Sequence, residues 1–323
     1  MNKSFLSTSL SIITLTAMLS ACSNDEPTTN PVPPDDNCRY PTATSSPMCD
    51  KVYEYTPAPG QFINESSEQL STPAQAASWA QQRLDDKSAV SLGGFGGYIV
   101  VGFDHSIIAP EDNDADGYDF TIFGNAFVNR PNGEGGSNEP GIVYVMQDSN
   151  GNGLPDDTWY ELSGTESGKE STIYDYAVTY YRPEGAAQAV RWTDNRGQSG
   201  TIDYVAAFHK QSCYYPAWIT EDSYTLTGTC LGSRTSQTAN GMWNNSPYGG
   251  GYVDNIGVDN ISTDEHYQCN RFRISDAKDA DGKDAKLKYI DFIKVQTGVN
   301  AKAGILGEVS TEVLGFKDLT LTK

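Results

Sequence analysis

Apolar and polar side chains alternate with a period of two in a series of short segments that begins near residue 90. The clearest segments are 98–103, 118–127, 141–146, 173–181 and 289–295. Gly, Asn, Asp and Pro, the residues typical of turns, separate them. No helical segments alternate with these strands, which argues against a parallel sheet. We therefore expect an all-β domain, mainly an antiparallel β-sandwich of the jelly-roll type, with long loops and one or a few short helices.

One helix is predicted over residues 74–84, which are rich in Ala, Gln and Leu. Thr72 can cap its first turn, and Pro73 is favoured at the first helical position. An apolar stripe at a spacing of four follows one face and consists of Ala76, Ala80 and Leu84, together with Trp79. This pattern predicts a helix that packs on a sheet.

The N-terminus has the features of a bacterial lipoprotein signal. Lys3 precedes an apolar stretch, residues 5–18, that is too short to span a bilayer comfortably. The stretch ends in Leu19-Ser20-Ala21-Cys22, which predicts cleavage before Cys22 and attachment of lipid to that cysteine. An ordinary signal peptide followed by an incidental cysteine is the alternative. Ser23, rather than Asp, follows the cysteine, and this favours the outer membrane of a Gram-negative cell.

Composition divides the chain into three parts. Residues 1–21 form the predicted lipoprotein signal peptide. Residues 22–37 are rich in Pro, Asp, Asn and Thr, and we expect them to form a lipidated, flexible tether. Residues 38–323 are expected to form a single β-rich ligand-binding domain. Together these features predict a lipid-anchored protein of the outer membrane that is exposed at the cell surface.

The charge balance is strongly acidic, with 22 Lys and Arg against 42 Asp and Glu and a net charge of −20. Binding to nucleic acid through clustered cations is therefore excluded, as is a polybasic patch on a membrane surface. The same charge suits cations such as calcium.

Cysteines beyond the lipidation site predict disulfides, because the expected compartment is oxidising. They are Cys38, Cys49, Cys213, Cys230 and Cys269. Proximity in sequence suggests the pairs Cys38–Cys49 and Cys213–Cys230. Cys269 is left over in this scheme, and it could replace one of these partners. A metal cluster is less expected, since no Cys-x-x-Cys occurs and the chain has only 3 histidines.

The segment 148–157 resembles the front of an EF-hand calcium loop. Oxygen-bearing side chains occupy positions one, three, five and nine, and a glycine occupies position six. Position twelve is Trp159 rather than Glu, so Asp157 or Glu161 would have to complete the coordination sphere. The candidate ligands are Asp148, Asn150, Asn152, the carbonyl of Leu154, Asp156 and Asp157. A polar hairpin turn is the alternative. A second acidic loop, 112–119, is less complete.

Aromatic residues in loops rich in Gly and Asn suit the binding of a flat or amphipathic ligand such as a sugar or a macrocycle. The segment 241–252 is the clearest case, because it is too rich in Gly and Asn for a buried strand. The candidate ligand-binding residues are Trp243, Asn244, Asn245, Tyr248, Tyr252, Trp218 and Tyr215. Burial of these rings in the core is the alternative.

Catalytic motifs are not evident, and we predict no catalytic residue. The sequence has neither a G-x-S-x-G elbow nor an H-E-x-x-H motif. No pair of carboxylates is distinguished by its spacing. His105 follows an apolar strand, where a structural hydrogen bond is the favoured interpretation.

Several phrases together resemble one family of proteins. They are residues 58–64, 91–97, 118–127, 139–146, 159–162, 291–297 and 307–313. Over residues 52–318 the chain resembles bacterial surface lipoproteins that include BtuH-type cobalamin-binding proteins. The resemblance implies a β-rich domain at the outer surface that captures cobalamin and passes it to a TonB-dependent transporter. It supplies no short ligand motif, so the candidate binding residues remain those of the aromatic loops.

The leading hypothesis is thus a non-enzymatic surface lipoprotein that captures a ligand, with cobalamin or another corrinoid as the best candidate. One alternative is a calcium-stabilised module that binds surface glycans. Another is a glycoside hydrolase, which would require two carboxylates facing each other across a cleft at roughly 5–9 Å. A structural envelope protein, which needs no pocket, is a further alternative.

Overall fold

The computed structural model describes residues 37–65, 70–109, 117–128, 136–207, 209–262 and 268–321. One α-helix, α1 (Pro73–Asp85), and two short 3₁₀ turns, Ile274–Asp276 and Gly304–Leu306, occur in these ranges. The strands in the same ranges are β1 (Lys51–Thr56), β2 (Val90–Ser91), β3 (Tyr98–Ile108), β4 (Phe120–Gly124), β5 (Phe127–Val128), β6 (Gly136–Ser137), β7 (Gly141–Met146), β8 (Trp159–Leu162), β9 (Ile173–Tyr181), β10 (Val190–Asp194), β11 (Ser199–Ile202), β12 (Ser223–Cys230), β13 (Thr235–Gln237), β14 (Trp243–Asn245), β15 (Asn260–Ser262), β16 (Gln268–Phe272), β17 (Ala277–Lys278), β18 (Tyr289–Thr297), β19 (Glu312–Val313) and β20 (Gly315–Asp318).

Helix α1 forms where the sequence predicts it. The Thr72 hydroxyl accepts a hydrogen bond from the Gln75 N–H at 3.2 Å, and Pro73 opens the helix. This satisfies one of the amides that a helix leaves without an internal partner. Of the predicted apolar stripe, Ala76, Ala80 and Leu84 are buried, whereas Trp79 is half-buried. The helix packs on β1 and β2. Trp79 and Arg83 extend from it and line the cavity that is described below.

The largest sheet has the strand order β1-β3-β18-β7-β8-β17. Its central strand, β18, pairs antiparallel with both β3 and β7. Every residue of β18 is buried except Lys294, which is half-buried. Ile293 and Val295 point into the largest hydrophobic cluster of the molecule, called the main core below. Strand β18 is thus covered on both faces and forms the buried centre of this sheet.

Three further sheets contain four strands each, with the orders β11-β10-β9-β12, β13-β14-β6-β5 and β15-β16-β4-β20. A small sheet pairs β19 with β2. The pairing is antiparallel except where β14 meets β6, at Asn244 and Gly136. The predictions of an all-β, mainly antiparallel fold and of few helices are therefore confirmed.

The prediction of a jelly-roll-like β-sandwich is wrong, because the sheets form a four-bladed, propeller-like ring. The segment 118–127 shows the reason. It reads as one alternating strand, yet β4 and β5 belong to different sheets. The chain bends at Asn125, whose N–H donates to the Asp254 carboxylate at 3.0 Å. Alternation defines which side chains share a face, but it does not specify the neighbouring strand.

The first described residues are joined to the C-terminal strand and to the central strand. Backbone hydrogen bonds connect residues 47 and 49 with residues 318 and 316 of β20, at 2.7 and 3.1 Å. The Arg39 guanidinium donates to the buried Asp291 carboxylate on β18, at 3.1 and 3.3 Å. Asp291 also accepts from the Ser106 hydroxyl and the Asp148 N–H. One buried carboxylate thus connects three separate segments.

His105 is fully buried and contacts carboxylates through both ring nitrogens. Nδ1 lies 2.5 Å from the Asp104 carboxylate, and Nε2 lies 3.0 Å from the Asp318 carboxylate. These contacts join β3 to β20, as expected for a structural histidine.

Neither predicted disulfide is formed, because Cys49, Cys213 and Cys230 are free thiols. The Cys38–Cys49 pair fails because Cys49 is buried in the main core, where its N–H donates to the Phe316 carbonyl. The Cys213–Cys230 pair fails because Cys230 ends β12, whereas Cys213 lies in a loop between strands. Burial raises the pKa of Cys49 to about 12 and that of Cys230 to about 11, so both thiols stay protonated at neutral pH.

The described residues all belong to one compact unit. None of their helices is both long enough and apolar enough to cross a membrane. The predicted signal peptide, the lipidation site Cys22, the tether up to residue 36 and residues 112–116 of the second acidic loop lie outside the described residues.

Candidate functional site

A cavity of about 650 Å³ lies between α1, β2 and the loops that surround them. Its lining combines aromatic rings with carboxylate, hydroxyl and amide groups. The lining residues are Phe62, Glu65, Trp79, Arg83, Ala89, Ser91, Asn125, Phe127, Ser137, Glu139 and Glu312. A cavity of this size lies within the range of small-molecule sites, roughly 300–1,000 Å³.

Aromatic side chains form the outer part of the cavity. Phe62 and Phe127 are 41% and 52% exposed, so their rings are accessible to a ligand. Trp79 extends from α1 and stacks on Tyr55 of β1, with ring centroids 5.7 Å apart. Because Tyr55 is buried in the main core, this stacking fixes the position of the Trp79 ring. The rings offer apolar faces to a flat or amphipathic ligand.

Three carboxylates, called the carboxylate cluster below, converge at the inner end of the cavity. One oxygen each from Glu139, Asp254 and Glu312 lies within 4.8 Å of the other two. Glu139 and Glu312 line the cavity, whereas Asp254 is almost fully buried behind them. The Glu139 N–H donates to the Asp254 carbonyl at 2.9 Å, so the two backbones are held side by side.

Backbone amides and hydroxyls hold the cluster in place. The Asp254 carboxylate accepts from the N–H groups of Asn125 and Glu312, both at 3.0 Å. Glu312 accepts from the Ser91 hydroxyl at 3.0 Å. Glu139 accepts from the Ser310 N–H at 3.3 Å. The three acidic side chains are therefore positioned from several sides.

Crowding and burial keep protons on the carboxylate cluster. Burial raises the pKa of Glu139 to about 7. Burial, together with the neighbouring carboxylates, holds the pKa values of Asp254 and Glu312 well above their usual range. The guanidinium of Arg83, in the cavity wall, donates to the Ala89 carbonyl rather than to these carboxylates. At neutral pH the cluster therefore offers both carboxyl donors and carboxylate acceptors to a ligand.

The distance between the carboxyl groups of Glu139 and Glu312 can be compared with the distance that glycoside hydrolysis requires. One carboxylate oxygen of Glu139 lies within 4.8 Å of one of Glu312. Glycoside hydrolases hold their two carboxyl groups apart, at roughly 5–9.5 Å, so that the glycosidic bond fits between them. The Glu139 and Glu312 oxygens lie below that range.

The sequence-predicted aromatics Tyr215 and Trp218 are buried and lie outside the cavity lining. Trp218 packs against Tyr55, with ring centroids 5.7 Å apart. Tyr248 and Tyr252 are also buried and pack against each other at 5.8 Å in a separate hydrophobic cluster.

The predicted residues Trp243, Asn244 and Asn245 form β14 and do not line the cavity either. The Trp243 ring lies close to Gly304. Asn245 is buried, and its carbonyl accepts from the Asn138 side chain at 2.9 Å. The same sheet carries Phe127 and Ser137, which do line the cavity. Strand β14 therefore belongs to a sheet that contributes to the cavity, although the side chains of β14 itself do not line the cavity.

The predicted calcium loop forms a hydrogen-bonded turn. The buried Asp148 carboxylate accepts from the N–H groups of Gly151, Asn152 and Gly153, at 2.8, 3.2 and 2.8 Å. The side-chain amide of Asn152 donates to the Asp156 carboxylate.

The other candidate ligands complete the same turn. The Asn150 amide donates to Asp156 at 3.1 Å, and Asp157 accepts from the Ser149 N–H at 3.1 Å. Leu154 is exposed, and its N–H donates to the Asn152 side chain. A cation bound here would replace the amide–Asp156 bonds with metal–oxygen bonds, and calcium binding stays a prediction.

Sequence reasoning missed the residues that line the cavity and the whole carboxylate cluster. Glu139, Asp254 and Glu312 are separated by 115 and 58 positions, so no local spacing connects them. The sequence around Glu312 is mixed, with Ser310 and Thr311 before it and Val313 and Leu314 after it, and gives no clear signal.

Comparison of the chain with known protein families gives no match, and comparison with curated proteins gives none.

Proposed function

We propose that this chain is a non-enzymatic ligand-capture protein and that the cavity is its binding site. The observation that carries the proposal is the combination, in one cavity of about 650 Å³, of exposed aromatic rings with an inner wall of carboxyl and hydroxyl groups. Ligand sites characteristically join apolar walls to a few convergent polar groups.

The polar groups define the ligand that the cavity suits. Glu139, Glu312, Ser91 and Ser137 present oxygen atoms that accept hydrogen bonds, and their hydroxyl and protonated carboxyl groups can also donate them. The cavity therefore suits a ligand that carries hydroxyl or amide groups. The rings of Phe62 and Phe127 favour an apolar face on the same ligand.

A corrinoid is the first candidate ligand. Its corrin ring has two apolar faces and an edge that bears amides, whose N–H groups can donate to the carboxylate cluster. The resemblance to cobalamin-binding surface lipoproteins supports the same choice. In this proposal the cavity holds the amide-bearing edge of the ring, and the aromatic residues contact its face.

A glycan is the second candidate, and the size of the cavity favours it. A volume of about 650 Å³ accommodates a few sugar units in full. Sugar hydroxyls donate to carboxylates, and the C–H faces of sugars pack on aromatic rings. The calcium prediction for the loop 148–157 belongs to this alternative. The short separation of the Glu139 and Glu312 oxygens, within 4.8 Å, does not favour the glycoside hydrolase hypothesis.

The proposal extends to the location of the protein. The lipobox that ends at Cys22 supports a lipid anchor in the outer membrane, with the folded part at the cell surface. A captured corrinoid would pass from there to a TonB-dependent outer-membrane transporter, as the resemblance implies.

The test is to mix the purified chain from residue 37 onward with cyanocobalamin and to follow the red chromophore through gel filtration. Stoichiometric co-elution is expected. Isothermal titration with a panel of oligosaccharides forms the second arm. Binding in that arm alone would replace the corrinoid with a glycan, and binding in neither arm would contradict the proposal.

Variants locate the site. Phe127→Ala and Glu139→Gln should each weaken binding at least about tenfold, the effect expected when one central contact is lost. Tyr174→Ala is the matched control, because Tyr174 is an aromatic residue of similar exposure, 51%, that lies outside the cavity lining. Equal effects of Phe127→Ala and Tyr174→Ala would place the binding site elsewhere.

A further inference from the structure

Lys294 occupies an unusual position on the central strand of the largest sheet. Its neighbours Ile293 and Val295 point into the main core, so the lysine side chain lies on the opposite face of the sheet. It is in register with Val100 on β3 and Tyr144 on β7. The surrounding strands are rigid and well packed, which fixes the base of the side chain.

Three aromatic rings surround the amine. The Lys294 Nζ lies 4.2 Å from the ring centroid of Tyr144, 5.1 Å from that of Trp159 and 5.9 Å from that of Tyr98. No described residue forms a salt bridge or a hydrogen bond with this Nζ. Rings can attract an ammonium group through their faces, but they do not replace the hydrogen bonds of water.

Two carboxylates flank this face of the sheet, and both have other partners. Glu54 on β1 accepts from the Tyr98 hydroxyl at 3.2 Å. Glu161 on β8 accepts from the Thr229 hydroxyl at 2.5 Å. Burial lowers the pKa of Lys294 to about 8, although Glu54 and Glu161 act in the opposite direction. At pH 7.4 the fraction of neutral amine is therefore about two orders of magnitude above that of an ordinary lysine.

We propose that Lys294 is a nucleophilic amine that forms an imine with an aldehyde or ketone. The lone pair of Nζ attacks the carbonyl carbon and forms a C–N bond, and a proton moves from nitrogen to oxygen to give a carbinolamine. Loss of that oxygen as water then leaves the C=N bond. The step consumes one amine and one carbonyl, releases one water and needs no oxidant or reductant.

The surroundings of Lys294 favour this product. The rings of Tyr144 and Trp159 lie beside the amine, with their centroids 4.2 and 5.1 Å from Nζ. When the imine is protonated, the same rings face a cation, and Glu54 and Glu161 provide compensating negative charge. The side chain is half-buried, so a small carbonyl compound can reach it. The proposal is independent of the cavity and of its ligand.

The test uses glycolaldehyde as the probe and sodium cyanoborohydride to trap the imine, on the mature chain at pH 7.4. Mass mapping of peptides then gives the rate at each lysine. Lys294 should be modified at least about tenfold faster than Lys283 and Lys302, whose side chains are 74% and 50% exposed. Lys294→Arg should remove this fast site and leave the other rates unchanged.

The pH profile separates reactivity from a purely structural role. The rate at Lys294 should reach half its maximum near pH 8, well below the pKa of about 10.4 of an unperturbed lysine. Trp159→Leu should reduce the rate at Lys294 severalfold at an unchanged melting temperature. Modification of Lys294 no faster than that of Lys283, or a rate at Lys294 that rises through pH 10, would overturn the proposal.

Discussion

The loop 148–157 and the carboxylate cluster are both rich in acidic groups, but the surroundings of their carboxylates differ. In the loop, the Asp148 carboxylate accepts three backbone N–H groups within five residues. In the cluster, three carboxylates from distant segments face one another, and burial holds protons on them. Backbone donors thus surround the loop carboxylate, whereas burial and crowding disfavour ionisation of the cluster.

The difference teaches that the density of carboxylates along a sequence is a poor guide to their proximity in space. The loop has the spacing of a metal site, yet its acidic groups are supplied with N–H donors. The cluster has no spacing signal, yet each of its three carboxylates places an oxygen within 4.8 Å of the other two. Loss of a carboxylate should therefore lower the free energy of unfolding when it occurs in the loop and raise it when it occurs in the cluster.

The largest effect is expected for Asp148→Ala, which removes the acceptor of three N–H groups at a buried position. The free energy of unfolding should fall by about 3 kcal/mol. Urea denaturation measures this change. Asp156→Ala is the control, because this exposed carboxylate accepts only from side-chain amides and should contribute under about 1 kcal/mol. Equal losses in the two variants would remove the distinction between buried and exposed acceptors in the loop.

Calcium provides a second test of the difference between the loop and the carboxylate cluster. If the loop binds calcium, a concentration one hundred times the dissociation constant stabilises the protein by about 2.7 kcal/mol. The measurement is the melting temperature with calcium chloride and with chelator. Asp148→Ala should abolish the gain and Glu312→Gln should leave it unchanged. The reverse pattern would place the ion at the carboxylate cluster, and an unresponsive wild-type protein would end the calcium hypothesis.

Stability should fall as pH rises, because the folded state binds more protons than the unfolded state. The pKa of Glu139 is raised to about 7, so its favourable contribution is complete below pH 4.5 and is lost as pH rises toward and through 7. Between pH 5 and pH 8 the free energy of unfolding should decrease by about 2 kcal/mol. Glu139→Gln should flatten this dependence, and an equally steep profile in the variant would contradict the assignment.

The smallest effect is expected for Glu312→Gln at pH 8. The amide keeps an oxygen for the Ser91 hydroxyl and offers an N–H to Glu139, while the crowding of charge is relieved. The free energy of unfolding should rise by about 1 kcal/mol. Chemical denaturation at pH 8 and pH 5 provides the check, since the gain should disappear at the lower pH. A loss of stability at pH 8 would mean that the carboxylate of Glu312 is needed for packing.

Local patterns predicted the elements of the fold well. Strands β7 and β9 have the bounds that alternation indicates, and α1 extends the predicted helix by one residue at each end. Their arrangement was not predictable in this way, because a strand's partners depend on bends such as that at Asn125. The carboxylate at position 254 that fixes this bend comes from 129 residues away.

The aromatic loop 241–252 shows a second limit of sequence reasoning. Abundant Gly and Asn indicated exposed rings, but Tyr248 and Tyr252 are buried. Close packing against glycine explains how such a ring can be buried. A Cβ on Gly164 would lie 2.4 Å from the Tyr252 ring, so the absence of a side chain there lets backbone and ring pack closely. Rings beside glycine can therefore be core residues as readily as ligand contacts.

The connection between Arg39 and Asp291 has a mechanical consequence. A pulling force applied at residue 37 would reach the fold through the Arg39 guanidinium, which also donates to the Phe103 carbonyl at 2.9 Å. These contacts transmit the load to β3 and β18, which lie side by side in the largest sheet. An edge strand would peel away one hydrogen bond at a time, whereas interior strands share the strain with neighbours on both sides. A domain pulled from this end would therefore carry the load on two interior strands of its largest sheet.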